Sequence, residues 1–206
     1  MKRRTQEERS TTTREALKAA ARRLWAERGY AEVGTPEIAR EAGVTRGAMY
    51  HQFADKTALF VAVLEDVEER ILAELGEAVG AAGATTPAAA LRAALDAWLT
   101  VSADPEVRRL VLLDGPSVLG WPRFRELALR YSLGMTEQLL RAAVEAGELA
   151  EQPLRPLAHV LVGALDEGAM LVAEADDREA ARREVREVLL RLLDGILREG
   201  PERPAP

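Results

Sequence analysis

The chain has no cysteine among its 206 residues. That excludes a disulfide framework, a thiolate nucleophile and any cysteine-ligated zinc or iron–sulfur site. Histidine is nearly as scarce, with His51 and His159 alone, so a histidine-rich metal site cannot be built; neither a metal nor a cofactor is expected. Lysine is limited to Lys2, Lys18 and Lys56 although the basic residues number 28. Long apolar runs are missing too. The longest uncharged stretch, residues 78–91, is rich in Ala, Gly, Thr and Pro and shorter than the ~20 apolar residues a spanning helix needs. No apolar run follows the basic start Met1-Lys2-Arg3-Arg4, so no secretory leader is expected and the expected location is cytoplasmic, away from membranes. Alternating Val/Ile/Thr runs bounded by turns are absent, which argues against a sheet.

What is present is an uneven charge. Residues 1–60 hold 12 Lys/Arg against 8 Asp/Glu, whereas the remainder carries a net charge of −10. A basic head on an acidic body suits a protein of which one end meets a polyanion, and a chance fluctuation of a few charges is the plainer alternative.

Apolar residues recur at helical spacing along most of the chain, so the expected class is all-α. The first helix starts near Thr12 or Thr13, carries Leu17, Leu24 and Trp25 inward, and stops at Gly29. Thr35-Pro36-Glu37 reads as a helix start, with Thr35 as N-cap, Pro36 in the first turn and Glu37 complementing the dipole. That short helix ends at Gly43. Thr45 caps a second short one from Arg46 to about Phe53, and Asp55 caps a longer one from Lys56 to about Leu75. Residues 76–87 read as a glycine-rich link. Helices are then expected over 88–102, 105–113 (broken by Gly115-Pro116), 123–147, 157–173 and 178–197.

Two short helices joined at Gly43 form a helix-turn-helix pattern. Glycine supplies the left-handed turn, Ile38 and Val44 pack the pair, and the second helix can enter a major groove. The same spacing also fits an ordinary helical hairpin. The fuller string, Gly43-Val44-Thr45-Arg46-Gly47-Ala48-Met49-Tyr50-His51-Gln52-Phe53-Ala54-Asp55-Lys56-Thr57-Ala58-Leu59-Phe60, resembles the signature of the TetR family of bacterial transcriptional regulators. Gly29-Tyr30 and Thr35-Pro36-Glu37-Ile38-Ala39 fit at the family's offsets, although many members lack a proline at position 36.

The resemblance implies a layout and roles. Residues 1–11 form a flexible basic arm, 12–60 the DNA-binding domain, 61–200 an effector-binding and dimerisation domain, and 201–206 a frayed tail. Thr35 caps its helix and donates to a phosphate, and Thr45 caps the recognition helix. Arg46, Gly47 and Ala48 face base edges, with Arg46 the bidentate donor suited to guanine. Tyr50, His51 and Lys56 meet phosphate or sugar. Each has a plainer alternative: Tyr50 in the core, His51 and Lys56 merely solvated. Lys2, Arg3 and Arg4 can reach a minor groove or form a solvated tail.

The body offers no catalytic constellation, so no enzyme activity is expected. The resemblance also implies an effector pocket among the middle helices, with Trp98, Leu110, Leu113, Trp121, Phe124, Tyr131, Met135 and Met170 as wall candidates. Trp121, Phe124 and Tyr131 fall within eleven residues, although the chain has only nine aromatics. Plain core packing is the alternative for any one of these. Asp166-Glu167, flanked by apolar residues, can line a pocket and pair with a cation, or form interface salt bridges. The last two helices carry apolar stripes, including Leu161 and Leu165 on one and Val185, Leu189, Leu192 and Ile196 on the other, with Gly163 and Gly168 allowing close packing. Paired across a two-fold axis they would form a four-helix bundle. The expected function is thus a homodimeric repressor on a palindromic operator in double-stranded DNA, released by a small, largely apolar effector. A DNA-binding regulator without an effector, and a helical enzyme or ligand carrier, stay open as alternatives.

Overall fold

A computed structural model of the protein describes residues 6–197. The described residues form helices joined by short turns and loops, and among them the one β-type pairing is a bridge between Leu149 and Leu197. The chain divides into two compact units, one holding the residues up to Glu68 together with Pro105–Phe124, the other Glu69–Asp104 and the residues from Arg125 onward.

The first unit is built on α1 (Gln6–Arg28), α2 (Thr35–Glu41), α3 (Arg46–Gln52) and the start of α4 (Lys56–Ala81). Its core is fully buried Leu17, Trp25, Ile38, Met49, Leu59 and Phe60. Trp25, Tyr30 and Phe60 form an aromatic cluster with ring centroids 5.1–5.4 Å apart, a spacing that favours edge-to-face contact. The expected start near Thr12 or Thr13 is overturned, because α1 already runs from Gln6. Residues 6–11 include good helix formers, and the Thr12 hydroxyl donates back to the Glu8 carbonyl at 2.7 Å instead of capping. Lys2, Arg3, Arg4 and the expected frayed tail lie outside the described residues.

This unit also takes in α6 (Pro105–Val107), a π-helical turn over Arg108–Asp114 and α7 (Gly115–Leu119). Gly115-Pro116 does not break the helix as expected. Pro116 has no N–H to offer, and the chain widens just before it, so that the Gly115 amide reaches the Leu110 carbonyl. An ideal Cβ on Gly115 would lie 2.7 Å from the Phe124 ring, so the missing side chain is what seats that ring. Arg22 holds the segment to α1, donating to both carboxylate oxygens of Glu106 at 2.7 and 2.6 Å.

The second unit is a bundle of α5 (Pro87–Val101), α9 (Ser132–Glu145), α10 (Leu154–Glu174) and α11 (Arg178–Ile196). Leu91, Leu95 and Leu99 meet Leu133 and Leu140, Ala158 and Val162, and Leu189 and Leu193 in one core. Gly168 lets α10 and α11 approach, since a Cβ there would lie 2.7 Å from Val185; Gly163 has nothing within 4 Å. By length and composition α10 is apolar enough to cross a membrane, yet it packs on α9 and α11.

Further boundaries differ from those expected. α4 passes through Gly76 and Gly80 to Ala81, because buried Ile71 and Leu75 anchor it and each further residue adds a backbone bond. The segment 123–147 is two helices, α8 (Trp121–Ala128) and α9. Gly134 explains the break: its ideal Cβ would lie 2.2 Å from the Leu129 carbonyl oxygen, an approach only glycine permits.

These glycines give opposite expectations. Gly76→Ala and Gly80→Ala, with no heavy atom near an added Cβ, should each stabilise by about 0.5–1 kcal/mol. Gly134→Ala should destabilise by about 1–3 kcal/mol. Urea denaturation of the three variants reads both signs.

Candidate functional site

α2 and α3 are seven residues each, joined through Gly43 at φ +68°. The turn is closed by the Val44 amide on the Ala39 carbonyl at 2.9 Å. Thr45 caps α3, its hydroxyl accepting from the Ala48 amide at 3.1 Å. Met49 and Phe53 turn inward, and Arg46, Gly47, Tyr50 and His51 remain exposed on the other side, with Ala48 half-buried between them. One face of a short helix is therefore fixed and the other is free for a groove.

Thr35 does not act as expected. Gly34 occupies the cap position of α2, and Thr35 is its first residue, buried, with its hydroxyl 3.2 Å from the Tyr50 phenol. The Arg46 guanidinium lies 5.6 Å from the Tyr50 ring centroid, so Thr35, Tyr50 and Arg46 form a chain of contacts between α2 and α3. The Thr35 hydrogen bond, then Arg46, holds the phenol below its ordinary pKa. Lys56 is also engaged. Its ammonium donates to the Tyr30 carbonyl at 2.6 Å and sits 3.9 Å from that ring's centroid. Burial pushes its pKa down, against the pull of Asp114. The same Asp114 accepts from the Tyr30 amide at 2.8 Å, and Asp55 caps α4 through the Ala58 amide at 2.7 Å.

Sequence reasoning missed the brace behind α3. Arg14 donates to the Gln52 carbonyl at 3.1 Å and lies over the Phe53 ring, while Gln52 donates to Ser10. The signal was a cation on α1 at helical spacing from Leu17, but its partners are about forty residues away in sequence.

The second unit holds a cavity of about 70 Å³ between α5, α9, α10 and α11. Trp98 and Met135 line it as expected wall residues. The other six candidates do not. Leu110 is core in the first unit, Phe124 is buried against Gly115 in that unit, Leu113 and Trp121 are exposed, and Tyr131 and Met170 are half-buried elsewhere. Leu161, Leu165, Leu189 and Leu192, read as dimer stripe, line the cavity, and Val185 packs on Gly168. Ile196 is half-buried at the edge of the core. Among the described residues, Asp166 is the one ionisable residue on the wall. It forms an ion pair with Arg125 at 3.6 Å, and burial nevertheless raises its pKa to about 6. Among the described residues no cluster of metal-ligating side chains exists.

The family description "Bacterial regulatory proteins, tetR family" matches residues 17–63, and "Tetracyclin repressor-like, C-terminal domain" matches residues 88–196. The chain belongs to the TetR family. It is a DNA-binding transcriptional regulator, and the helix-turn-helix of α2 and α3 is its family head. A crystal structure of a TetR-family regulator from Pectobacterium atrosepticum is 31% identical, with a TM-score of 0.76 over 96% of this chain and all of that one. The TetC protein of Escherichia coli is 25% identical over 77% of this chain and 79% of its own length. The fold is shared with RolR, solved with its ligand resorcinol, at 22% identity and a TM-score of 0.70 over 98% of both chains.

The raised pKa of Asp166 in this TetR-family protein carries a sign. A carboxyl that holds its proton more tightly when folded stabilises fully below about pH 4, and loses that contribution as the pH rises through about 6. Asp166→Asn, which stays neutral, should therefore gain stability relative to wild type as the pH rises across that window. Paired thermal melts from pH 4.5 to 7.5 measure the difference.

Proposed function

We propose that the protein is a homodimeric repressor, that α3 reads a palindromic operator in the major groove, and that a small, largely apolar effector in the bundle cavity releases it. The observation that carries the DNA-reading role is the exposed face of α3. Arg46 is its one side chain able to donate two hydrogen bonds to a guanine edge. Gly47 and Ala48 keep the helix close to the bases. Tyr50 and His51 are available to the backbone, and Lys56, which keeps two of its three donor protons beyond the Tyr30 bond, to a phosphate. Thr35 acts through Tyr50 and Arg46 in this reading.

Self-association is supported by apolar surface that the chain leaves uncovered. Val160 and Leu171 on α10 and Val188 and Leu192 on α11 are each more than half exposed. Gly163 and Gly195, with open space at an added Cβ, continue the two stripes. Monomeric proteins seldom leave such a patch bare, and a two-fold axis covers it with a copy of itself. Recognition helices about 34–36 Å apart then meet successive turns of one DNA face.

The effector reading is supported by the cavity, whose wall is mostly leucine, alanine, valine, methionine and tryptophan, with the hydroxyls of Ser132 and Thr136 and one carboxylate. RolR's resorcinol is a precedent for a small ring in this fold.

Two experiments test the proposal. Arg46→Ala should cost about 1–3 kcal/mol at the preferred site and relax one base position per half-site; selection from random DNA reads it, and an unchanged consensus refutes the base-reading role. The double variant Val160→Glu, Val188→Glu alters exposed positions only, so it should remain helical yet sediment as a monomer with operator binding lost. A wild-type monomer at micromolar concentration refutes the dimer.

A further inference from the structure

We propose that the effector is a small amine, whose apolar body fills the bundle cavity and whose protonated nitrogen meets the Asp166 carboxylate. This rests on the reading of the cavity as an effector site and assigns its chemical class.

The wall is nearly all hydrocarbon, with Leu91, Leu95, Leu139, Leu165, Leu193 and Met135 among its members, and Asp166 is its one charge. The counter-charge is not on the wall. Arg125 stands behind Asp166 at 3.6 Å, longer than the ~2.7–2.9 Å of a tight charge-assisted hydrogen bond. A carboxylate has about four acceptor positions. One long ion pair leaves most of them open, and the Asp166 side chain keeps 24% of its surface accessible. The Thr136 hydroxyl on the same wall does not fill them, since it donates to the Ser132 carbonyl at 3.0 Å. A desolvated, under-bonded carboxylate facing hydrocarbon is complementary to an ammonium on an apolar body. An anionic ligand would meet like charge, and a neutral one would leave the carboxylate as it is.

A second observation points the same way. Trp98 is 6% exposed, and its indole nitrogen has no hydrogen-bond partner. Trp98 is also a wall residue, so the carboxylate shares the cavity with the aromatic side chain best suited to a cation. Size adds a consequence. The cavity of about 70 Å³ is roughly half the ~150 Å³ that holds a benzene ring. A one-ring amine enters by spreading the lining helices, so occupancy changes the shape of the unit.

The test is a matched series on the full-length protein: 2-phenoxyethylamine, 2-phenoxyethanol, phenetole and phenoxyacetate, by calorimetry at pH 7.5. The amine should bind about tenfold or more tightly than the alcohol, and the acid should not bind. In Asp166→Asn the amine preference should vanish, with the alcohol affinity kept. Should that variant fail to fold, the wild-type ranking decides by itself. Equal binding of amine, alcohol and ether, or a preference that survives Asp166→Asn, overturns the amine assignment and leaves the apolar-effector reading standing. No binding of any of the four at millimolar concentration overturns both. Amine-selective binding that leaves the affinity for a selected operator unchanged supports the amine site and overturns its role as an effector site.

Discussion

The head of this protein depends on burying one face of two helices that are too short to exist alone. A seven-residue helix forms too few backbone bonds to offset its nucleation cost in water. α2 and α3 persist because Ile38, Ala39, Met49 and Phe53 are removed from solvent beneath α1. The polar contacts follow from that burial. The Thr45 cap, the Val44–Ala39 bond and the Arg14 brace on Gln52 all need the two helices already in place. The face of α3 that the core does not use is the one proposed above to read DNA.

What was legible in the sequence was local. Gly43 and the caps Thr45 and Asp55 act within a few residues of themselves, so their chemistry can be read without knowing the fold. Where the reading erred, the deciding atom lay far along the chain or across a turn. Thr35 is a good cap by type, but the Tyr50 phenol, fifteen residues on, claims its hydroxyl. Pro116 reads as a breaker, and a π-helical turn absorbs it. Gly134 reads as an ordinary helix glycine until the Leu129 carbonyl is seen against it. The cluster Trp121, Phe124 and Tyr131 looked like a pocket wall because proximity in sequence stood in for proximity in space. Phe124 faces Gly115 and Trp121 faces solvent.

The body shows a different balance. A buried carboxylate is costly unless well paired, and Asp166 is paired only at a distance. On the cavity side its neighbours are leucine, valine and alanine, and the buried Arg125 supplies the counter-charge from the other side. Sites that depart from what stability favours are where function tends to reside. The stripe of Val160, Leu171, Val188 and Leu192 departs in the same sense, being apolar where solvent would favour charge.

The division of α3 into an inward and an outward side also bears on how such a protein can change over generations. Met49 and Phe53 hold the helix, while Arg46, Gly47 and His51 contribute little to the core. Under the proposed reading, mutations at Arg46 and Gly47 alter the preferred DNA sequence and mutations at His51 the backbone contacts, each at small cost to folding. Tyr50 is the exception, because its phenol is tied to Thr35 on α2. A lineage drifting toward new operators is thus free to vary three letters and constrained at the fourth, and a descendant that replaces Tyr50 should also have altered position 35.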